Sequence, residues 1–148
     1  MFLWRLLRFL IPIAAAVGWA WFIFWISVDD AGARVVDGGG LLAWVPRADL
    51  VAHFSVYAVL AFLMRWSLGW LHTWRVFEQT IKNAMPVVIA GVYGIALELR
   101  QAWAIEARAG EAADAIANTL GALAMIWFLA YALPRTKRRT HKLIARLE

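Results

Sequence analysis

The chain has 148 residues, about one domain by length, and 64% of them are hydrophobic against 17% charged. A soluble domain carries about 45–50% and 25%. Together with ten tryptophans, this excludes a soluble enzyme, a disordered chain and a nucleic-acid-binding module, and points to a protein solvated mostly by lipid. No cysteine is present, which removes disulfides, thiolate nucleophiles and Cys-ligated metal sites. The formal charge of +5 is a tail property: Arg135, Lys137, Arg138, Arg139, Lys142 and Arg146 stand against Glu148 alone, while the rest of the chain balances. Such a tail speaks to a membrane surface and to topology.

A spanning helix needs about 20 mostly apolar residues. The first predicted helix covers 9–28. Arg5 and Arg8 precede it, and Ala14, Ala15 and Ala16 imitate a signal-peptide cleavage site, but the apolar run continues through Trp19, Trp21 and Trp25. An uncleaved anchor is expected. Gly38, Gly39, Gly40 and Pro46 mark 29–50 as an irregular loop. The second helix, 51–71, is apolar except for His53, Ser55, Arg65 and Ser67. After a connection over 72–83, the third helix, 84–103, turns polar at Glu98, Arg100 and Gln101, and its uncharged stretch is only 14 residues. A further connection, 104–114, leads to the fourth helix, 115–133, interrupted by Asn118 and Thr119 and stopped by Pro134. The basic tail, 135–148, follows. The expected fold is all-α: a polytopic membrane protein, one domain over 1–148, built as a bundle of four transmembrane helices. Gly121, Ala122 and Ala124 suit close helix packing. Trp44 and Trp103 fit one membrane interface, and Trp4, Trp70 and Trp74 the other.

Orientation follows from Lys and Arg in the short loops. One side holds Arg5, Arg8, Arg75, Lys82 and the six tail residues; the other holds Arg34, Arg47, Arg100 and Arg108. The richer side is expected to be cytoplasmic, with both termini inside a multi-pass cell-membrane protein. Arg65 lies in the second helix near that side, within snorkelling reach. Asp29, Asp30, Asp37, Asp49, Glu98, Glu106, Glu111 and Asp114 all fall on the outer side, and only Glu78 and Glu148 fall inside.

Polar residues enter the helices in three clusters. Asp49, His53 and Tyr57 recur every four positions, which keeps them on one helical face. Glu98 and Gln101 lie three apart at the end of the third helix, and Asp114, Asn118 and Gly121 open the fourth. With the topology above, all three clusters lie at one depth near the outer surface. A charge at the bilayer centre costs about 2.5–3.5 kcal/mol on insertion scales, so ionisable groups in spans usually face the bundle interior or a water-filled cavity. His53, Glu98, Asp114 and Asn118 are therefore expected to converge.

The same residues carry a resemblance. Asp49-x3-His53-Phe54-x2-Tyr57, then Glu98-x2-Gln101, then Arg108-x5-Asp114-x3-Asn118-x2-Gly121 resembles the VanZ-like family over about half the chain. Family members often carry Lys after the first Asp, where this chain has Leu50. The resemblance implies a small polytopic membrane protein. The family's namesake is associated with teicoplanin resistance, and no biochemical activity carries over with the likeness.

Each residue has a functional and a plainer role. His53 suits acid–base work, metal ligation or pH sensing, or it is a hydrogen-bonded interface residue. Glu98 is a buried base or a strut paired with Arg108. Asp114 and Asn118 bind a headgroup, or cap and join helices. Arg108 has the planar fork that suits an anion, or it is an exposed loop residue. Asp49, Tyr57 and Gln101 complete the binding network. His53 with Asp49, Glu98 and Asp114 offers one nitrogen and three carboxylates, but no His-x3-His pair or comparable ligand spacing occurs. No metal or other cofactor is expected from the sequence. The leading function is a pocket at the outer surface that binds or modifies an envelope lipid or lipid-linked saccharide, with His53, Glu98 and Asp114 as candidate catalytic groups. No nucleophile motif fixes a reaction. The alternatives are a structural or partner protein whose polar cluster sets helix packing, and a proton-coupled transporter, for which four helices would need a homo-oligomer.

Overall fold

The computed structural model describes residues 2–28, 47–68, 75–104 and 112–132. They form α1 (Phe2–Val28), α2 (Ala48–Ser67), α3 (Arg75–Ala104) and α4 (Ala112–Trp127), which ends in a π-helical turn over Phe128–Ala132. No strand occurs among the described residues. Apolar stretches long enough to span a bilayer run over Leu10–Val28, Ala48–Ser67, Gln79–Trp103 and Ala112–Ala132. The protein is an all-helical, four-span membrane protein.

The helices exceed their apolar stretches. α1 starts at Phe2 rather than 9, and α3 at Arg75 rather than 84. Residues 75–83, expected as a connection, are helical. Arg, Glu, Gln and Lys are good helix formers, so polarity ended the apolar run without ending the helix. α2 begins three residues early and ends at Ser67 rather than 71, and α4 begins at Ala112 rather than 115. The loop 29–46, Pro134 and the basic tail lie outside the described residues.

α2 is the hub. It packs most closely on α4 and also meets α1 and α3. The core is made of Ile23, Tyr57, Leu60, Ala61, Ala90, Leu97, Ala122 and Ile126. Small residues hold its tightest points, as expected where van der Waals fit rather than water exclusion drives association. Gly121 sits against the Phe54 backbone, where a Cβ would run into the carbonyl oxygen. Ala122 is buried, but Ala124, expected at the same interface, is exposed. The large apolar side chains face outward, with Trp21 68% and Val92 63% exposed. Lipid accounts for that surface, which a soluble monomer would rarely show.

Polar atoms tie α1 to the rest. Trp19 Nε1 donates to the Val56 carbonyl at 2.9 Å, Tyr93 Oη to the Ala20 carbonyl at 2.7 Å, and Gln101 Nε2 to the Ser27 carbonyl at 3.0 Å. Arg65 Nε donates to Asn83 Oδ1 at 3.2 Å, joining α2 to α3 at the opposite end. Two of the polar interruptions are silent. Ser67 and Thr119 donate to the carbonyls four residues back, Leu63 at 2.8 Å and Ala115 at 3.0 Å, a common way to hide a hydroxyl within a helix.

Candidate functional site

Three helices bring their polar residues to one end of the bundle. His53 is in the second turn of α2, Glu98 two turns before the end of α3, and Asp114 and Asn118 in the first two turns of α4. At 1.5 Å per residue, all four lie within about 10 Å of that end. α2 starts with Arg47 in the left-handed conformation at φ 54°, and no side chain caps it. Asp49 in its first turn is placed to favour the positive end of the helix dipole.

His53 is the centre. Its Nδ1 lies 3.0 Å from Asn118 Oδ1 and 4.0 Å from Glu98 Oε1, and its Nε2 lies 3.6 Å from Asp114 Oδ2. With the amide oxygen facing the ring, Nδ1 is the donor of the His53–Asn118 bond. One ligand atom each from His53, Glu98 and Asp114 lies within 4.8 Å of the other two. The side chains of His53, Asp114 and Glu98 are 24%, 16% and 10% exposed. The imidazole is thus the most accessible of the three.

Asn118 is buried at 1% exposure. Its Nδ2 has no hydrogen-bond partner among the described residues. Gly94 of α3 makes room for it: a Cβ there would stand 2.8 Å from Nδ2 and 3.2 Å from a Tyr57 ring carbon. Tyr57 closes the floor one turn below His53, with its ring 6.4 Å from that of Tyr93.

The sequence-predicted residues divide clearly. His53, Glu98, Asp114 and Asn118 come together, with Tyr57 beneath. Gln101 is buried but turns to Ser27 of α1, away from the imidazole. Asp49 is exposed and stands outside the His53–carboxylate group. Asp49 lies in the first turn of α2, one turn nearer the helix end than His53. Arg108 lies outside the described residues. Sequence reasoning missed Gly94, although Gly91 and Gly94 sit three apart beside Ala90, a small-residue face of the kind that marks helix contact. It also missed Trp19 and Tyr93 as cross-helix donors.

No family model, no curated protein and no solved structure matches the chain.

On the α2–α4 seam lies an apolar groove. It has a volume of about 430 Å³ and is lined by Leu50, Val51, Phe54, Ala113, Ile116, Ala117 and Leu120. These positions neighbour His53, Asp114 and Asn118 along the two helices.

Proposed function

We propose that this protein is a VanZ-like membrane protein that engages an envelope lipid or lipid-linked saccharide at the His53 end of the bundle. The observation that carries this reading is that α2 and α4, which bring His53 to Asp114, also line an apolar groove. An amphipathic ligand has the same two parts. Its chain fits between Phe54 and Leu120, and its head reaches the partly exposed imidazole. Two carboxylates beside an imidazole suit hydroxyl groups, which donate to the carboxylate oxygens or to the free Nε2 lone pair. Arg108, six residues before Asp114 in the sequence, is the cation this reading assigns to an anionic linkage. The Lys and Arg asymmetry supports a position for this end at the outer face of the membrane, with both termini in the cytoplasm. His53 with Glu98 has the residue types for moving a proton.

The test is mass spectrometry of the gently extracted protein. The expected result is a retained envelope lipid, lost in His53→Gln and Asp114→Asn variants that keep their helical content and melting behaviour. A folded wild-type protein that retains no lipid, or variants that retain it unchanged, would overturn the reading. These isosteric changes also separate a functional centre from a packing scaffold, which they should largely spare.

A further inference from the structure

We propose that His53, Glu98 and Asp114 form a binding site for one first-row divalent cation of the zinc or manganese kind. The inference shares its residues with the lipid reading but does not need a lipid, and its test uses none.

The geometry comes first. A ligand atom from each of the three side chains lies within 4.8 Å of the others. His53 Nε2 and Asp114 Oδ2 are 3.6 Å apart. Bonds of about 2.0–2.1 Å to an imidazole nitrogen and a carboxylate oxygen span that distance at an angle near 120°. The widest separation exceeds the roughly 4.2 Å that two such bonds can bridge, so one side chain must turn inward by about half an ångström or more. Glu98 has the freedom of three side-chain torsions for that adjustment.

The surroundings supply an independent argument. A metal-binding histidine almost always gives its second ring N–H to an acceptor, which fixes the tautomer and the ring plane. Asn118 is that acceptor: its Oδ1 lies 3.0 Å from Nδ1. Nδ1 then carries the proton, and Nε2 presents its lone pair on the Asp114 side. The amide is itself held, being 1% exposed and packed into the space that Gly94 leaves. A buried asparagine with one amide nitrogen unpartnered among the described residues is a costly way to join two helices. It is a reasonable way to aim an imidazole.

The donor set narrows the ion. Imidazole nitrogen favours zinc and its neighbours, while carboxylates suit manganese or magnesium. One nitrogen among three ligands disfavours calcium and magnesium, which prefer all-oxygen sets. Three protein ligands leave a coordination position open, as in catalytic rather than structural zinc sites. The partly exposed edge of His53 places that position where a ligand oxygen arrives. Ligand spacing along the chain gives no hint of the site, because each ligand comes from a different helix.

The experiment is equilibrium dialysis of chelator-stripped protein in detergent against Zn²⁺ and, separately, Mn²⁺, with bound metal counted by elemental mass spectrometry. The expected result is about one saturable equivalent per chain of at least one of the two ions. Binding should weaken at least tenfold in His53→Gln and in Asp114→Asn, each checked for intact helical content, since even a second-layer residue is worth about 10–100-fold. Asn118→Ala should weaken it by about 10-fold or more. Equimolar Mg²⁺ should not compete. Absence of saturable binding of both ions by folded wild-type protein overturns the proposal, as does unchanged affinity in the folded His53 and Asp114 variants. Equal competition by Mg²⁺ overturns the role of His53 as a ligand. Metal bound without any lipid retained would separate this site from the lipid reading, and lipid retained by metal-free protein would do the reverse.

Discussion

His53 and Asn118 stand 65 positions apart in the chain and meet at 3.0 Å across the α2–α4 seam. The bond links the imidazole at the centre of the polar cluster to the most deeply buried polar side chain of α4. Interhelical hydrogen bonds in membrane proteins average about 0.6 kcal/mol and reach about 1.7. A double-mutant cycle of His53→Ala and Asn118→Ala should give a coupling in the upper half of that range. Reversible unfolding in mixed micelles measures it. A coupling of zero would mean that the two side chains are neighbours without being partners.

Gly121 and Gly91 should respond in opposite ways to alanine. At Gly121 the new methyl meets the Phe54 carbonyl, a backbone atom that cannot turn aside. Gly121→Ala should destabilise the fold by about 1–3 kcal/mol through overpacking. At Gly91 the nearest atom is Thr119 Oγ1 at 3.5 Å, an ordinary contact. Gly91→Ala should be neutral or stabilising by up to about 1 kcal/mol, the helix-propensity gain. Unfolding midpoints of the two variants, compared side by side, decide this.

Gly94→Ala is a test of the cradle. Its methyl would lie 2.8 Å from Asn118 Nδ2 and 3.1 Å from Asn118 Cβ. Asn118 must shift, and its bond to His53 goes with it. In the Gly94→Ala background the His53–Asn118 coupling should fall towards zero. A coupling that survives unchanged would show that the amide does not need the gap.

The topology is open to direct labelling because the chain has no cysteine of its own. If both termini are cytoplasmic, Gly38→Cys should react with an impermeant thiol reagent added to intact cells, and Thr140→Cys only after the membrane is opened. The reverse pattern would turn the polar centre to the cytoplasmic face and remove an outer-leaflet ligand.

Arg108→Lys keeps the charge and loses the two-pronged donor. If Arg108 meets an anionic linkage of the ligand, the lysine protein should fold and bind the co-purified lipid at least about tenfold more weakly, the worth of one charged hydrogen bond. Unchanged retention by the lysine variant, measured by the same mass spectrometry, would leave Arg108 as a counter-charge only.

Composition and apolar run length determined the fold class, the four spans and their order, because a bilayer demands about 20 apolar residues per helix wherever they occur. Helix ends were less legible: polar residues from 75 to 83 end the hydrocarbon match but not the hydrogen-bond ladder of α3. Spacing within a helix grouped Asp49, His53 and Tyr57, and Asp114 with Asn118, since periodicity is a local property. Common depth led the sequence to expect that Glu98, Asp114 and Asn118 meet His53; the tertiary structure alone decided that Asp49 stays outside that group and that Gln101 serves α1. Those outcomes depend on how far each helix is rotated about its axis. Rotation is set by close contacts such as Gly121 on Phe54 and Gly94 on Asn118, between residues that share no pattern along the chain.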